Sequence, residues 1–163
     1  MKIELRNLKH MKSMSQETPC YTATVYVDGA PAVDVENRGR GGADVQRPRA
    51  GSTLEAINAF IARNVPPISM AKHGRADIPC DLELWCHAEI WDADAKAQLR
   101  KLLKSGVIYV DEGELVQIRF KGMKTIDEQC LAHFAKTRPA VSTLNAMPFE
   151  AAWAIAKPLM TGA

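Results

Sequence analysis

Polar and apolar residues alternate from the first segment onward. In Ile3-Glu4-Leu5-Arg6-Asn7-Leu8, Ile3 and Leu5 fall on one side and charges on the other, the period-2 pattern of a half-buried strand. A polar stretch over 9–19 interrupts it. Two β-rich runs follow, Tyr21-Thr22-Ala23-Thr24-Val25-Tyr26-Val27 and Ala30-Pro31-Ala32-Val33-Asp34-Val35, separated by Asp28-Gly29. That pair tolerates the positive φ of a tight hairpin turn. Pro31 cannot donate to a ladder, which places the start of the second run at a sheet edge.

Helical periodicity begins at 52. Ser52-Thr53-Leu54-Glu55 reads as a capping box, with Ser52 and Glu55 satisfying each other's free amides, and Leu54, Ile57, Phe60 and Ile61 then share a face. Pro66-Pro67 ends this helix, and 66–79, with Gly74 and Pro79, reads as a linker or loop. A long helix is expected over 81–105, its stripe built from Leu84, Trp85, Ala88, Trp91, Ala95, Leu99, Leu102 and Leu103. Acidic residues crowd its first half and basic residues its second, as the helix dipole favours, and Gly106 stops it.

A second hairpin is signalled by Val107-Ile108-Tyr109-Val110, the turn Asp111-Glu112-Gly113, and Glu114-Leu115-Val116-Gln117-Ile118-Arg119-Phe120. Alternation puts Val116, Ile118 and Phe120 toward the core and Leu115 away from it. Thr125-Ile126-Asp127-Glu128 opens a third helix that Pro139 closes, and Pro148 starts a fourth that runs to Pro158. Strands arrive in hairpins and helices in blocks, so the fold class is α+β: antiparallel sheet from two hairpin regions and an N-terminal strand, covered by about four helices. Either the hairpins join one five-stranded sheet, or sub-lobes 1–65 and 80–163 are joined by 66–79. A hairpin alone is marginal, which favours a single domain over 1–163.

Composition adds little to that picture. With 47% hydrophobic and 25% charged residues the 163-residue chain resembles an ordinary globular domain, able to bury roughly 70% of its unfolded surface. No apolar run reaches the length of a membrane span, and the alternating N-terminus leaves no hydrophobic signal region, so the expectation is a cytoplasmic protein. Cys20, Cys80, Cys86 and Cys130 then read as reduced, buried thiols. A zinc site from Cys80, Cys86 and His87 with His73, His133 or Cys130 is disfavoured by spacing, since adjacent Cys86 and His87 point different ways on a helix. Neither a metal nor a cofactor is expected.

Charge does single out one segment. Between 38 and 49, four arginines against one aspartate leave +3 in a chain whose formal total is +2. Arg38, Gly39, Arg40, Gly41, Gly42, Arg47 and Arg49 are the candidate binding residues, because glycines give the backbone freedom and arginines offer planar forks to an anionic surface. The run is neither G-x-G-x-x-G nor a P-loop, so nucleotide binding is not expected. A nucleic-acid backbone is the alternative partner, against which stand a pI of 8.4 and only ten aromatic residues. A thiol or histidine centre, Cys86 or Cys130 with His87 or His133, can be named without support from spacing, so no catalytic residue is assigned. Trp85, Trp91 and Trp153 sit on apolar stripes and read as core.

Met1-Lys2-Ile3-Glu4-Leu5-Arg6-Asn7-Leu8-Lys9-His10, the run from Thr22 to Gly29, Val35-Glu36-Asn37 before a Gly-rich turn, and Leu144-Asn145-Ala146-Met147-Pro148-Phe149-Glu150-Ala151-Ala152 together resemble a family of small uncharacterised proteins of prophages and mobile elements. The likeness covers the first 42 residues and the last 20, and it departs at the turn, arginine-rich here where relatives carry a Gly-His-Gly-Gly-like run. It implies an origin and brings no catalytic or binding set with it. Small accessory proteins of mobile elements frequently act stoichiometrically by blocking host defence complexes, so by analogy the expected function is an anti-defence, anti-CRISPR-like interaction protein whose partner is a host protein or protein complex, not a membrane. A nucleic-acid-binding accessory protein and a small thiol or histidine enzyme are the alternatives.

Overall fold

The Asp28-Gly29 pair makes the turn its sequence calls for, with φ of +48° and +86°, joining β2 (Cys20–Val27) to β3 (Ala30–Arg38). The computed structural model describes residues 1–70 and 74–161, so His73 lies outside the described residues. Among them are four α-helices, a four-stranded antiparallel sheet in the order β1 (Ile3–His10), β2, β3, β4 (Val45–Pro48) and a separate two-stranded sheet, an α+β fold. The two hairpins therefore do not share a sheet. The chain divides into two compact units, 1–90 and 91–163.

In the first unit β1 (Ile3–His10) runs past Leu8, where the polar stretch was expected to end it. Its register against β2 shifts between Arg6 and Lys9, beside Asn7 at φ +56°. This bulge returns Leu8, out of phase by sequence, to the side of Ile3 and Leu5, and all three pack on the core. Pro31 lies outside the part of β3 that β4 (Val45–Pro48) covers, a register running from Val33↔Pro48 to Glu36↔Val45, so its missing N–H leaves no gap there.

One face of the sheet, with Tyr21, Ala23, Val25, Val33 and Val35, packs on Ile57 and Ile61 of α1 (Leu54–Asn64) and on Leu82, Cys86 and Ile90 of α2 (Leu82–Ser105). The cap of α1 is Thr53 rather than Ser52: its hydroxyl accepts from the Ala56 amide at 3.3 Å, a frame in which Glu55 cannot complete the reciprocal box. Ile68 and Ile78 exchange backbone hydrogen bonds at 2.9 and 3.0 Å, so part of the expected linker closes on itself. Asp81 caps α2 through the Leu84 amide at 2.9 Å, and Asn58 Oδ1 accepts from the Leu82 amide at 2.8 Å.

In the second unit β5 (Val107–Asp111) and β6 (Glu114–Ile118) pair around a turn with Glu112 at φ +46° and Gly113 at φ +83°. Both faces of this hairpin are packed. Val107, Tyr109, Val116 and Ile118 meet Phe134 of α3 (Glu128–Thr137), while Leu115, expected to face away from the core, packs with Ile108 against Leu99 and Trp153. Asp127, not Thr125, caps α3, accepting from the Cys130 amide at 2.9 Å. Pro158 does not end α4 (Phe149–Thr161) but sits inside it, in the last turns, where the carbonyl it leaves unbonded belongs to exposed Ala154 and can be hydrated. Trp153 is core as expected; Trp91 is not, being 60% exposed.

Candidate functional site

The Arg/Gly loop is held by its own backbone rather than left free. Gly39, at φ +77°, is buried, and its carbonyl accepts from the amides of Gln16 and Glu17 at 2.8 and 3.2 Å. Its amide donates to Asn37 Oδ1 at 2.8 Å, and that of Gly41 to Thr18 Oγ1 at 3.3 Å. With those donors already engaged, neither amide is available to cradle an anion, which removes the phosphate-loop geometry at these two glycines. Gly42 accepts from Asn37 Nδ2 at 3.1 Å and has open space around its α-carbon.

The four arginines divide into pairs. Arg47 donates to Glu36 at 2.8 Å, and Arg49 grips Asp34 through Nε and Nη2 at 3.0 and 2.9 Å, both across the β3–β4 ladder. These contacts hold the Asp34 and Glu36 carboxyls below their usual range, first of all through the hydrogen bonds from Arg49 and Arg47. They also explain why 45–48 forms a strand at all: it carries a single aliphatic side chain, the exposed Val45, and charge pairing replaces the missing apolar alternation. Arg38 and Arg40, both exposed, take no hydrogen bond or ion pair among the described residues. They rim a groove of about 380 Å³ that Met11, Met14, Cys20, Tyr21, Thr22, Glu36 and Asn37 also line. Met14 is 54% exposed beside it.

Behind the loop stands a polar cluster that sequence reasoning missed. Asp44, the lone acid among the arginines, has a fully buried side chain. Its Oδ2 accepts from the Tyr21 hydroxyl, and its Oδ1 from Asn37 Nδ2 at 2.9 Å and from His87 Nε2 at 3.2 Å. Its amide donates to Glu83 Oε2 at 3.1 Å. Burial pushes the Asp44 carboxyl up, yet hydrogen bonds from His87, Tyr21 and Asn37 together outweigh it and leave the group below its ordinary value. The bond to Asp44 raises His87 in turn, against the opposing effect of its partial burial. Tyr21, wholly buried, is pushed well up by desolvation first and by Cys86 and Asp44 next. The local trace of this cluster was the i,i+4 spacing of Glu83 and His87 on one helix face.

The cysteines fall elsewhere. All four are free and buried, and Cys86 points into the core while His87 turns to Asp44, so Cys80, Cys86 and His87 form no ligand set. Burial raises the Cys80 and Cys86 thiols, the opposite of what a thiolate nucleophile needs. No family model matches the chain, and no curated protein or solved structure is significantly similar to it.

Proposed function

We propose that the chain is an interaction protein whose Arg38 and Arg40 engage an acidic surface of a partner protein, with Met11 and Met14 receiving an apolar side chain in the groove between. The observation that carries this reading is the division of the arginines. Arg47 and Arg49 are neutralised against Glu36 and Asp34. Arg38, at the end of β3 with only the more distant charge of Glu36, and Arg40, on the loop after it, make no hydrogen bond or ion pair among the described residues, and the hydrogen-bonded backbone that carries them needs little ordering on binding. Methionine suits an adaptable contact, and guanidinium forks suit carboxylates. Pairing of Arg47 and Arg49 halves the cations a nucleic-acid backbone could use, which favours protein over phosphate. The likeness of the chain's two ends to prophage accessory proteins supports a bacterial host defence complex as the partner and occlusion as the mode of action.

The test is a pull-down from bacterial lysate, nuclease-treated and untreated, with the wild-type chain and the Arg38→Glu, Arg40→Glu double variant, read by mass spectrometry. A stoichiometric protein retained by wild type and lost from the folded double variant is expected. Equal retention by both sinks the proposal, as does a partner that disappears with nuclease treatment.

A further inference from the structure

Asp44, Glu83 and His87 each offer one ligand atom, and these atoms lie within 4.8 Å of one another. The structure assigns to them a divalent transition-metal site, with zinc as the best-fitting ion, built without Arg38 or Arg40. Imidazole and carboxylate are the donors that zinc accepts alongside thiolate, and three protein ligands with an open position are a common zinc arrangement.

The geometry is close to what such an ion requires. Two ligands on a tetrahedral zinc at about 2.0 Å stand about 3.3 Å apart. Asp44 Oδ1 and His87 Nε2 are 3.2 Å apart, so an ion can replace their hydrogen bond with almost no change in their separation. Glu83 precedes His87 by one helical turn on the same face of α2, and its carboxylate is already drawn in by the Asp44 amide at 3.1 Å. A modest swing of this partly exposed side chain brings it into the shell.

The surroundings have the form of an outer shell. Tyr21 and Asn37 bond one oxygen each of Asp44 and fix its orientation, the service that second-shell donors perform for ligating carboxylates. Asn37 is itself fixed by Thr18 Oγ1 at 2.8 Å and by the Gly39 amide. The Tyr21 ring meets the His87 ring edge-on, centroids 6.0 Å apart, which sets the imidazole plane. The Asp44 side chain is fully buried, while that of His87 is 17% exposed, so an ion would reach the site from the side of α2 that carries His87 and Glu83.

The experiment uses the full chain, tag removed and dialysed against EDTA, titrated with zinc chloride by calorimetry at pH 7.5 and with cobalt(II) by visible absorption. Expected are one equivalent of zinc, tetrahedral cobalt bands, and an affinity at least about 10-fold weaker in both His87→Ala and Glu83→Gln, the scale of loss when even an outer-shell partner is removed. Glu83→Gln keeps a similar shape near the helix start and tests the idea should His87→Ala fail to fold. Absence of saturable binding up to millimolar zinc, or unchanged affinity in either folded variant, overturns the assignment.

Discussion

Asn37 Nδ2 donates to Asp44 Oδ1 at 2.9 Å, tying the end of β3 to the far side of the glycine loop. The same side chain accepts from Thr18 and from the Gly39 amide and also donates to the Gly42 carbonyl, and it is 7% exposed. Asn37→Ala strands these groups in a site of little water, and a loss of about 2–4 kcal/mol is expected, several hydrogen bonds of about 1 kcal/mol each plus unsatisfied partners. Urea unfolding followed by circular dichroism reads it as a lower midpoint at unchanged slope. A variant within about 0.5 kcal/mol of wild type, the usual scatter of surface substitutions, would show that Asn37 does not anchor the loop.

Gly39 and Gly42 share a positive φ, +77° and +86°, but not their surroundings. A β-carbon on Gly39 would run into the Met14 carbonyl and come within 2.7 Å of Cys20 Cβ, whereas one on Gly42 meets nothing within 4 Å. Gly42→Ala then carries only the backbone cost of about 1–2 kcal/mol, and Gly39→Ala adds overpacking of about 1–3 kcal/mol. Thermal melts should rank Gly39→Ala clearly below Gly42→Ala. Equal melting points would mean that the 11–16 turn yields freely to the loop.

Both hairpins are legible because a glycine, Gly29 or Gly113, sits at a positive φ between two β-rich runs, and in the first hairpin Asp28 before it tolerates the same conformation. β4 is not, because the partners of Arg47 and Arg49 are Glu36 and Asp34, and cross-strand charge pairing leaves no periodic trace in a four-residue strand. The arginine segment is visible as charge, yet its division into paired and unpaired members depends on register. The Asp44 cluster is hidden for the same reason. Tyr21, Asn37, Glu83 and His87 come from β2, β3 and α2, and only their meeting makes a site. Pro158 misleads because a helix rule tuned to interiors fails where the freed carbonyl faces water.

With a chelator present, the Asp44–His87 pair gives stability a defined pH window. His87 is raised above 6.5 in the folded chain, so its contribution is full below pH 6.5 and disappears as pH rises through the higher folded value. Asp44 is lowered below 3.8, so its contribution is present above that value and disappears as pH falls through the folded one. Glu83 and Asp81 add to the rise at His87. Stability attributable to the pair therefore peaks between pH 3.8 and 6.5. Urea midpoints of wild type minus His87→Ala across pH 4–9 should show a difference that shrinks toward alkaline pH. A difference that grows with pH would reverse the assigned directions.

Asn145 closes the second unit as Asn37 closes the loop of the first. Its Oδ1 accepts from the Ile108 amide at 2.8 Å, and its Nδ2 donates to the carbonyls of Leu103 at 2.8 Å and Gly106 at 3.0 Å. Leu103 lies in the last turn of α2, where carbonyls lack intrahelical partners, so one amide side chain caps the helix and fixes the start of β5. Asn145→Ala should cost about 2–3 kcal/mol by stranding these groups. Asn145→Asp separates shape from bonding. The carboxylate keeps the size and the acceptor for Ile108 but aims a second oxygen at two carbonyls, so at neutral pH it should destabilise at least as much as alanine. Hydrogen exchange provides the local readout: the amides of 107–118 should lose protection in both variants. If aspartate is tolerated better than alanine, the side chain serves by volume and not as a donor.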